Sequence, residues 1–188
     1  MCLPILSLRE TPIVKVTETG IETSDGLREF DVIIWATGFD FGTGALARLG
    51  IRGREGLSLE DHWADGPKTF LGIVTTGFPN LFFPGGPHGA AGNNPRYGEL
   101  QVKFTQDLID YATAHGHARI EVPLAAERAW MEMIAQFLAY SPFEQRGQYY
   151  GGNTPGKPKA FLLNPGGRPK LDEFMAKAVQ SGYAGFLA

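Results

Sequence analysis

The chain has 188 residues, 43% of them hydrophobic and 20% charged, the balance of an ordinary globular protein long enough for one good-sized domain or one domain with an appendage. A net charge of −3 leaves no basic stripe to neutralise phosphates, so nucleic acid is not an expected partner, and no run approaches the ~18 apolar residues of a membrane span. A single cysteine, Cys2, excludes an intrachain disulfide and a cysteine-based zinc cluster and points to a reducing cytoplasm; the opening "MCLPILSLRE" lacks the pattern of a secretion signal.

From Pro12 the pattern is β: "PIVKVTETG" and "IETSDG" predict a hairpin arm and its return, with turns at Thr19-Gly20 and Asp25-Gly26. "DVIIWATG", Asp31 to Gly38, is a short β-branched run that predicts a strand covered on both faces. "ALARLG" has room for one or two helical turns before Gly50, and "GREGLSLEDHW" reads as loop with a local turn. "TFLGIVTTG" and "NLFFPG" predict two strands split by a turn at Gly77–Asn80. A glycine-rich stretch then leads into a helix from about Tyr97 to His115, because Leu100, Phe104, Leu108, Tyr111 and Ala112 fall on one face and Gly116 stops it. "RIEVP" predicts a short strand. "LAAERAWMEMIAQFLAYS" predicts a second amphipathic helix with a stripe of Trp130, Ile134, Phe137 and Leu138. "QYYGGNTPGKPKAFLLNPGG" is irregular, and "RPKLDEFMAKAVQSG" predicts a third helix.

Glycine is the unusual component, 25 residues, spread in short clusters that imply tight turns and close backbone approaches. "GTGALA", Gly42 to Ala47, has the spacing of a dinucleotide fingerprint, but its helix is broken by Gly50 and Gly53 and no strand-end acid follows. A glycine turn after a strand is the better reading. His62-Trp63 is expected to anchor a loop, with the indole N–H bonded. No histidine pair has metal-ligand spacing beyond His115 and His117, so no metal is expected.

The other glycine signal, "ATGF" at Ala36 to Phe39, belongs to a longer order: "ETSDG", "DVIIWATGFD", "DHWADGPKTFLGIVTTGFPNLFFPGGPHG" and "GGNTPGKPKAF". From about Thr11 to Phe186 this order resembles the C-terminal portion of the Baeyer–Villiger monooxygenases. The resemblance implies an α/β fold: part of a two-dinucleotide-binding-domain flavoprotein, with short strands, a flavin-facing helix and a helical C-terminal region. Residues 1–115 would then be a remnant of the dinucleotide-binding domain and 116–188 the helical region. It also implies FAD and NADPH as cofactors and a small ketone as substrate, converted by insertion of one oxygen into an ester or lactone. An N- or S-oxidising flavin monooxygenase is the alternative enzyme; a non-catalytic remnant, or a subunit completed by a partner chain, is the alternative of another class.

The resemblance also implies site residues. Ala36, Thr37 and Gly38 would meet the cofactor at a strand end, and Gly86, Pro87, Asn93, Asn94 and Pro95 would lie against the flavin at a helix start, where unpaired N–H groups and the dipole favour negative charge. Asn93 or Asn94 could equally be a plain helix cap. Ala90, Ala91 and Leu163 match positions lining the ketone pocket, with core packing the alternative for Leu163. Gln148 stands where relatives place a tryptophan against NADP, and Lys157 is either a phosphate contact or a solvated loop charge. Neither family fingerprint Gly-x-Gly-x-x-Gly is present and no residue is nominated as catalytic, so the chain is expected not to insert oxygen by itself. Missing domains, or self-association over the surface they would cover, are the expected consequences.

Overall fold

The computed structural model describes residues 7–8, 10–36, 42–141 and 160–186. The chain divides into two compact units, Met1–Gly38 and Phe39–Ala188.

The first unit is a three-stranded antiparallel meander, β1 (Ile13–Val16), β2 (Gly20–Thr23) and β3 (Gly26–Glu29), in the order β1-β2-β3. The register pairs Val16 with Ile21 and Gly20 with Glu29, and an irregularity between Ile13 and Lys15 shifts the first ladder. The expected hairpin is there, and Gly26, at φ 115°, turns the chain into a third strand that its polar composition concealed. The strand expected over Asp31–Gly38 is not formed among its described residues. Val32–Ala36 joins no ladder, and Val32, Ile34 and Trp35 are 74%, 84% and 63% exposed. An apolar β-branched run needs neighbouring strands to take its backbone hydrogen bonds, and no described strand lies beside it.

The second unit contains α1 (Gly44–Ala47), a 3-10 turn at Arg54–Gly56, α2 (Leu59–His62), α3 (Asn94–Ala114), α4 (Leu124–Ala139) and α5 (Gly167–Gln180). The stretch read as loop before Trp63 forms α2 because Ser58 caps it, accepting from the Asp61 N–H at 3.0 Å. The three long helices fall where the periodicity puts them, although Phe137 of α4 is exposed and Glu127 and Met133 are buried in its place.

Two expected strands give way to turns. Over Thr69–Gly77 the only ladder feature is a bridge between Phe70 and Val74, because Leu71 and Gly72 take left-handed conformations at φ 57° and 68° and fold the chain back on itself. Leu81–Phe83 meets that turn through one bond, Phe83 N–H to Ile73 carbonyl at 2.8 Å. "RIEVP" forms no named strand either; Ile120 exchanges bonds with Asn80, and Glu121 donates to the Phe186 carbonyl. The main core packs α3, α4 and α5 around the Phe70–Val74 turn, with Trp130 fully buried edge-on to Phe70 and Phe174. A smaller cluster of Leu59, Trp63, Phe78 and Phe83 sits under α2. There the Trp63 indole N–H donates to the Lys68 carbonyl at 3.2 Å, the loop anchor expected.

Trp130→Ala is expected to lower stability by about 3–5 kcal/mol, the cost of emptying a closed aromatic site. Urea denaturation of the chain and its variant measures this; a loss below about 1 kcal/mol would mean that the three-helix core is not closed around Trp130.

Candidate functional site: the glycine loop and the start of α3

Gly85–Gly92 leads into α3, and its shape is set by side chains and backbones that come from far along the sequence. Gln101, about two turns inside α3, is fully buried on the core face. Its Oε1 accepts from the Gly85 N–H at 2.8 Å, and its Nε2 donates to the carbonyls of Leu71 at 2.6 Å and Gly89 at 3.3 Å. One amide therefore ties the helix to both glycine turns, and the Gly85 donor fixes which end is oxygen. Gly72 and Gly89 lie backbone against backbone: a Cβ on Gly72 would overlap the Gly89 main chain, and one on Gly86 would overlap the Phe83 ring. The Gly86 N–H completes the crossing with a 3.1 Å bond to the Gly72 carbonyl.

His88 is the second tie. It is 2% exposed and sits at φ 63°, a conformation a non-glycine residue holds only when its surroundings compel it. Its Nε2 lies 2.8 Å from the Phe161 carbonyl and its Nδ1 3.1 Å from the Thr69 hydroxyl, which is also 3.1 Å from the Pro87 carbonyl. A carbonyl only accepts, so Nε2 carries the proton, and the single Thr69 hydroxyl hydrogen is shared between His88 Nδ1 and the Pro87 carbonyl. Burial holds the imidazole neutral, pulling its pKa down to about 4 against a smaller upward pull from the Phe161 carbonyl. The backbone joins in: His88 N–H donates to the Leu162 carbonyl at 2.7 Å and Asn164 N–H to the Ala90 carbonyl at 2.9 Å.

The loop opens to solvent where it becomes helix. Gly92, at φ 92°, has open space where a side chain would stand, and Asn93, Asn94 and Pro95 are exposed. Asn93 is the N-cap, its Oδ1 accepting from the Arg96 N–H at 3.4 Å, and Asn94 and Pro95 open the first turn, which carries no acidic residue. The positive end of a 21-residue helix therefore faces outward, although Pro95 has no N–H and the Arg96 and Tyr97 N–H groups are taken by Asn93. A cleft of about 220 Å³ adjoins them, lined by Ala91, Asn93, Arg96, Tyr97, Leu100 and Arg168.

Of the residues expected at a site, Gly86, Pro87, Ala90, Ala91, Asn93, Asn94, Pro95 and Leu163 are brought to this one loop and its seam. Gly86, Ala90, Ala91 and Leu163 are half-buried, and Pro87 is buried with its carbonyl bonded to Thr69. The Asn164–Ala90 bond places Leu163 in the strip alongside the two alanines. Ala36 is exposed in the first unit. Thr37, Gly38, Gln148 and Lys157 lie outside the described residues. His88 and Gln101 escaped the sequence reading; the signal for Gln101 was a polar residue on the face that carries Phe104 and Leu108. Among the described residues no cluster of three His, Cys, Asp or Glu could hold a metal, and no helix is long and apolar enough to cross a membrane.

No protein-family model matches the chain. It is similar to the cyclopentanone 1,2-monooxygenase of Comamonas sp., with 40% identity over 185 residues, 97% of this chain and 34% of that protein. Among solved structures it superimposes on cyclohexanone monooxygenase from Rhodococcus sp. Phi1 bound to NADP+ with a TM-score of 0.89 and 37% identity, covering 97% of this chain and 35% of that one. Over nearly its whole length the chain therefore has the fold of a part of cyclohexanone monooxygenase. A second neighbour, OTEMO in complex with FAD and NADP, matches with a TM-score of 0.83 and 34% identity over 97% of this chain and 35% of that one. The chain spans about a third of the length of these relatives.

Two outcomes follow from the geometry. The unfolded chain protonates His88 near its ordinary pKa of 6.5 and the folded chain only near 4. The contribution of His88 to stability is therefore intact above about pH 6.5, falls by about 3 kcal/mol as pH drops to about 4, and levels off below. Urea midpoints across that range, compared with His88→Gln, isolate the effect; equal pH slopes in the two proteins would contradict it. Gly72→Ala is expected to cost at least about 2 kcal/mol through the clash with Gly89 and the left-handed φ, read as a lowered melting temperature.

Proposed function

We propose that this chain supplies one wall of the active site of an FAD- and NADPH-dependent monooxygenase that inserts one oxygen beside a small ketone carbonyl. The observation that carries the reading is the outward-facing start of α3, held by Gln101 and His88 and presented beside the half-buried Ala90-Ala91 strip. The residues present fit a flavin edge. Open space at Gly92, the exposed positive end of α3 and the absence of an acid in its first turn suit a flat group that gathers negative charge when reduced. FAD would supply the electron transfer and oxygen chemistry once reduced by NADPH.

This chain's own residues would bind, orient and exclude water. Asn93, Asn94 and Pro95, with Gly86 and Pro87 behind them, would set the distance of the flavin's polar edge from the helix. Ala90, Ala91 and Leu163 would form the apolar side of the ketone pocket, and the two alanines leave room for a bulky substrate. Ala36, Thr37 and Gly38 toward the cofactor, and Gln148 and Lys157 toward NADP, complete the proposed contacts. In this arrangement residues 1–115 belong to the dinucleotide-binding part and 116–188 to the helical part packed behind it, in a reducing compartment such as the cytoplasm.

The remaining walls would come from polypeptide corresponding to the other two thirds of the relatives. The exposed Val32, Ile34 and Trp35 of the first unit, and Val102 and Ile109 of α3, support this, since apolar surface of this kind is ordinarily covered. The 188-residue chain expressed by itself is expected to retain no flavin and to self-associate. Expressed with the complementary two thirds of a relative, which carries both glycine fingerprints, it is expected to yield a flavin-bound complex that consumes NADPH in the presence of a cyclic ketone. Asn93→Asp, which sets a negative charge at the helix start, should weaken flavin retention by about tenfold. A stable complex that forms without flavin, or a single chain that retains it, would contradict the proposal.

A further inference from the structure

The cleft beside the start of α3 carries a charge pattern that the flavin-facing role does not use. Two arginines line it, Arg96 from the first turn of α3 and Arg168 from the first turn of α5, and no acidic residue does. Both stand at the positive end of a helix, where a cation opposes the dipole and an acid would be the stabilising choice. Neither helix has an acidic residue in its first turn. α5 also lacks a side-chain cap: Gly166 and Gly167 precede its N–H groups without offering an acceptor.

Only one of the two arginines is engaged in an ion pair among the described residues, and only by one edge. Arg168 gives its Nε edge to Asp172 at 3.2 Å, one turn along α5, and its side chain remains half-exposed. The Arg96 guanidinium has no carboxylate partner among the described residues, nor does the Tyr97 hydroxyl make a hydrogen bond there, although it lies at the start of α5, near Gly167. The rest of the lining is the apolar Ala91 and Leu100 and the polar Asn93, so the cleft sets a small apolar floor beside a cationic rim.

We propose that this cleft binds the anionic end of a substrate, a carboxylate or phosphate carried on the ketone, between Arg96 and Arg168. The guanidinium forks suit an oxyanion geometrically, and a negative charge held by both would be favourable to both helix starts. Ala91 is shared by the cleft and the strip assigned to the ketone pocket, so a carbonyl a few bonds from the anion would lie over Ala90-Ala91. The ketone half of this assignment rests on the proposed function; the anion half rests on the cleft alone.

The test reads the arginines and needs no flavin. The Nε–Hε signals of Arg96 and Arg168 in the 188-residue chain are followed by NMR during titration with 4-oxopentanoate, with its neutral counterpart pentan-2-one, and with inorganic phosphate. The expected result is a saturable shift of both signals with 4-oxopentanoate and none with pentan-2-one. Arg96→Gln and Arg168→Gln should each weaken binding about tenfold or more, and the double variant should abolish it. Asp172→Asn, which frees the Arg168 Nε edge, should bind at least as tightly. Equal shifts with pentan-2-one, or unchanged affinity in the double variant, would overturn the anion site. Saturation by phosphate but not by 4-oxopentanoate would overturn its assignment to a ketone substrate. Anion binding in a chain whose complemented form fails to load flavin would leave this site standing and remove the cofactor reading alone.

Discussion

The fit of Gly72 against Gly89 is the contact on which the rest of the candidate site depends. Two backbones can pass this closely only where neither carries a Cβ, and the approach brings the Leu71 and Gly89 carbonyls within reach of one buried amide on α3. Gln101 can then satisfy both carbonyls and the Gly85 N–H, which would otherwise be costly orphans beneath the helix. Fill the gap with one methyl group and the turn, the loop and the helix must part. The exposed helix start is thus held from beneath by a network whose members are nearly all inside.

His88 extends the same logic to the C-terminal part of the chain. Its ring and backbone reach Phe161 and Leu162, and the Ala90 carbonyl takes the Asn164 N–H, so a strip more than seventy residues downstream is stitched to the glycine loop. A neutral imidazole suits this position, because a buried charge without a carboxylate partner would cost more than the bonds return. The loop can therefore face a ligand without being soft: Pro87 to Gly89 are buried, and the open positions, Gly85 and Gly92, stand at its two ends.

Much of the second unit was legible in the sequence because helices advertise themselves through local periodicity. Phe104, Leu108 and Ala112 repeat on one face of α3, and Trp130 and Ile134 on α4, without reference to anything distant. The β readings fared worse for a physical reason. "TFLGIVTTG" has a strand's composition, but the left-handed Leu71-Gly72 pair is demanded by contacts with Gly86 and Gly89, fifteen or so residues later. Val32–Ala36 has a buried strand's composition, but a ladder is a property of neighbours, and among the described residues it has none. The loop residues were legible through resemblance, whereas the His88 and Gln101 ties were not, since both act only once distant carbonyls have been brought to them.

The central claim is that the glycine loop is a preformed wall, as firmly held as the core under it. Amide hydrogen exchange of the 188-residue chain tests it most directly. The account predicts that the N–H groups of Gly85, Gly86 and His88, and that of Asn164 across the seam, exchange about as slowly as that of Leu108 in the middle of α3. Exchange of these four at the rate of an open surface loop, with Leu108 still protected, would contradict it.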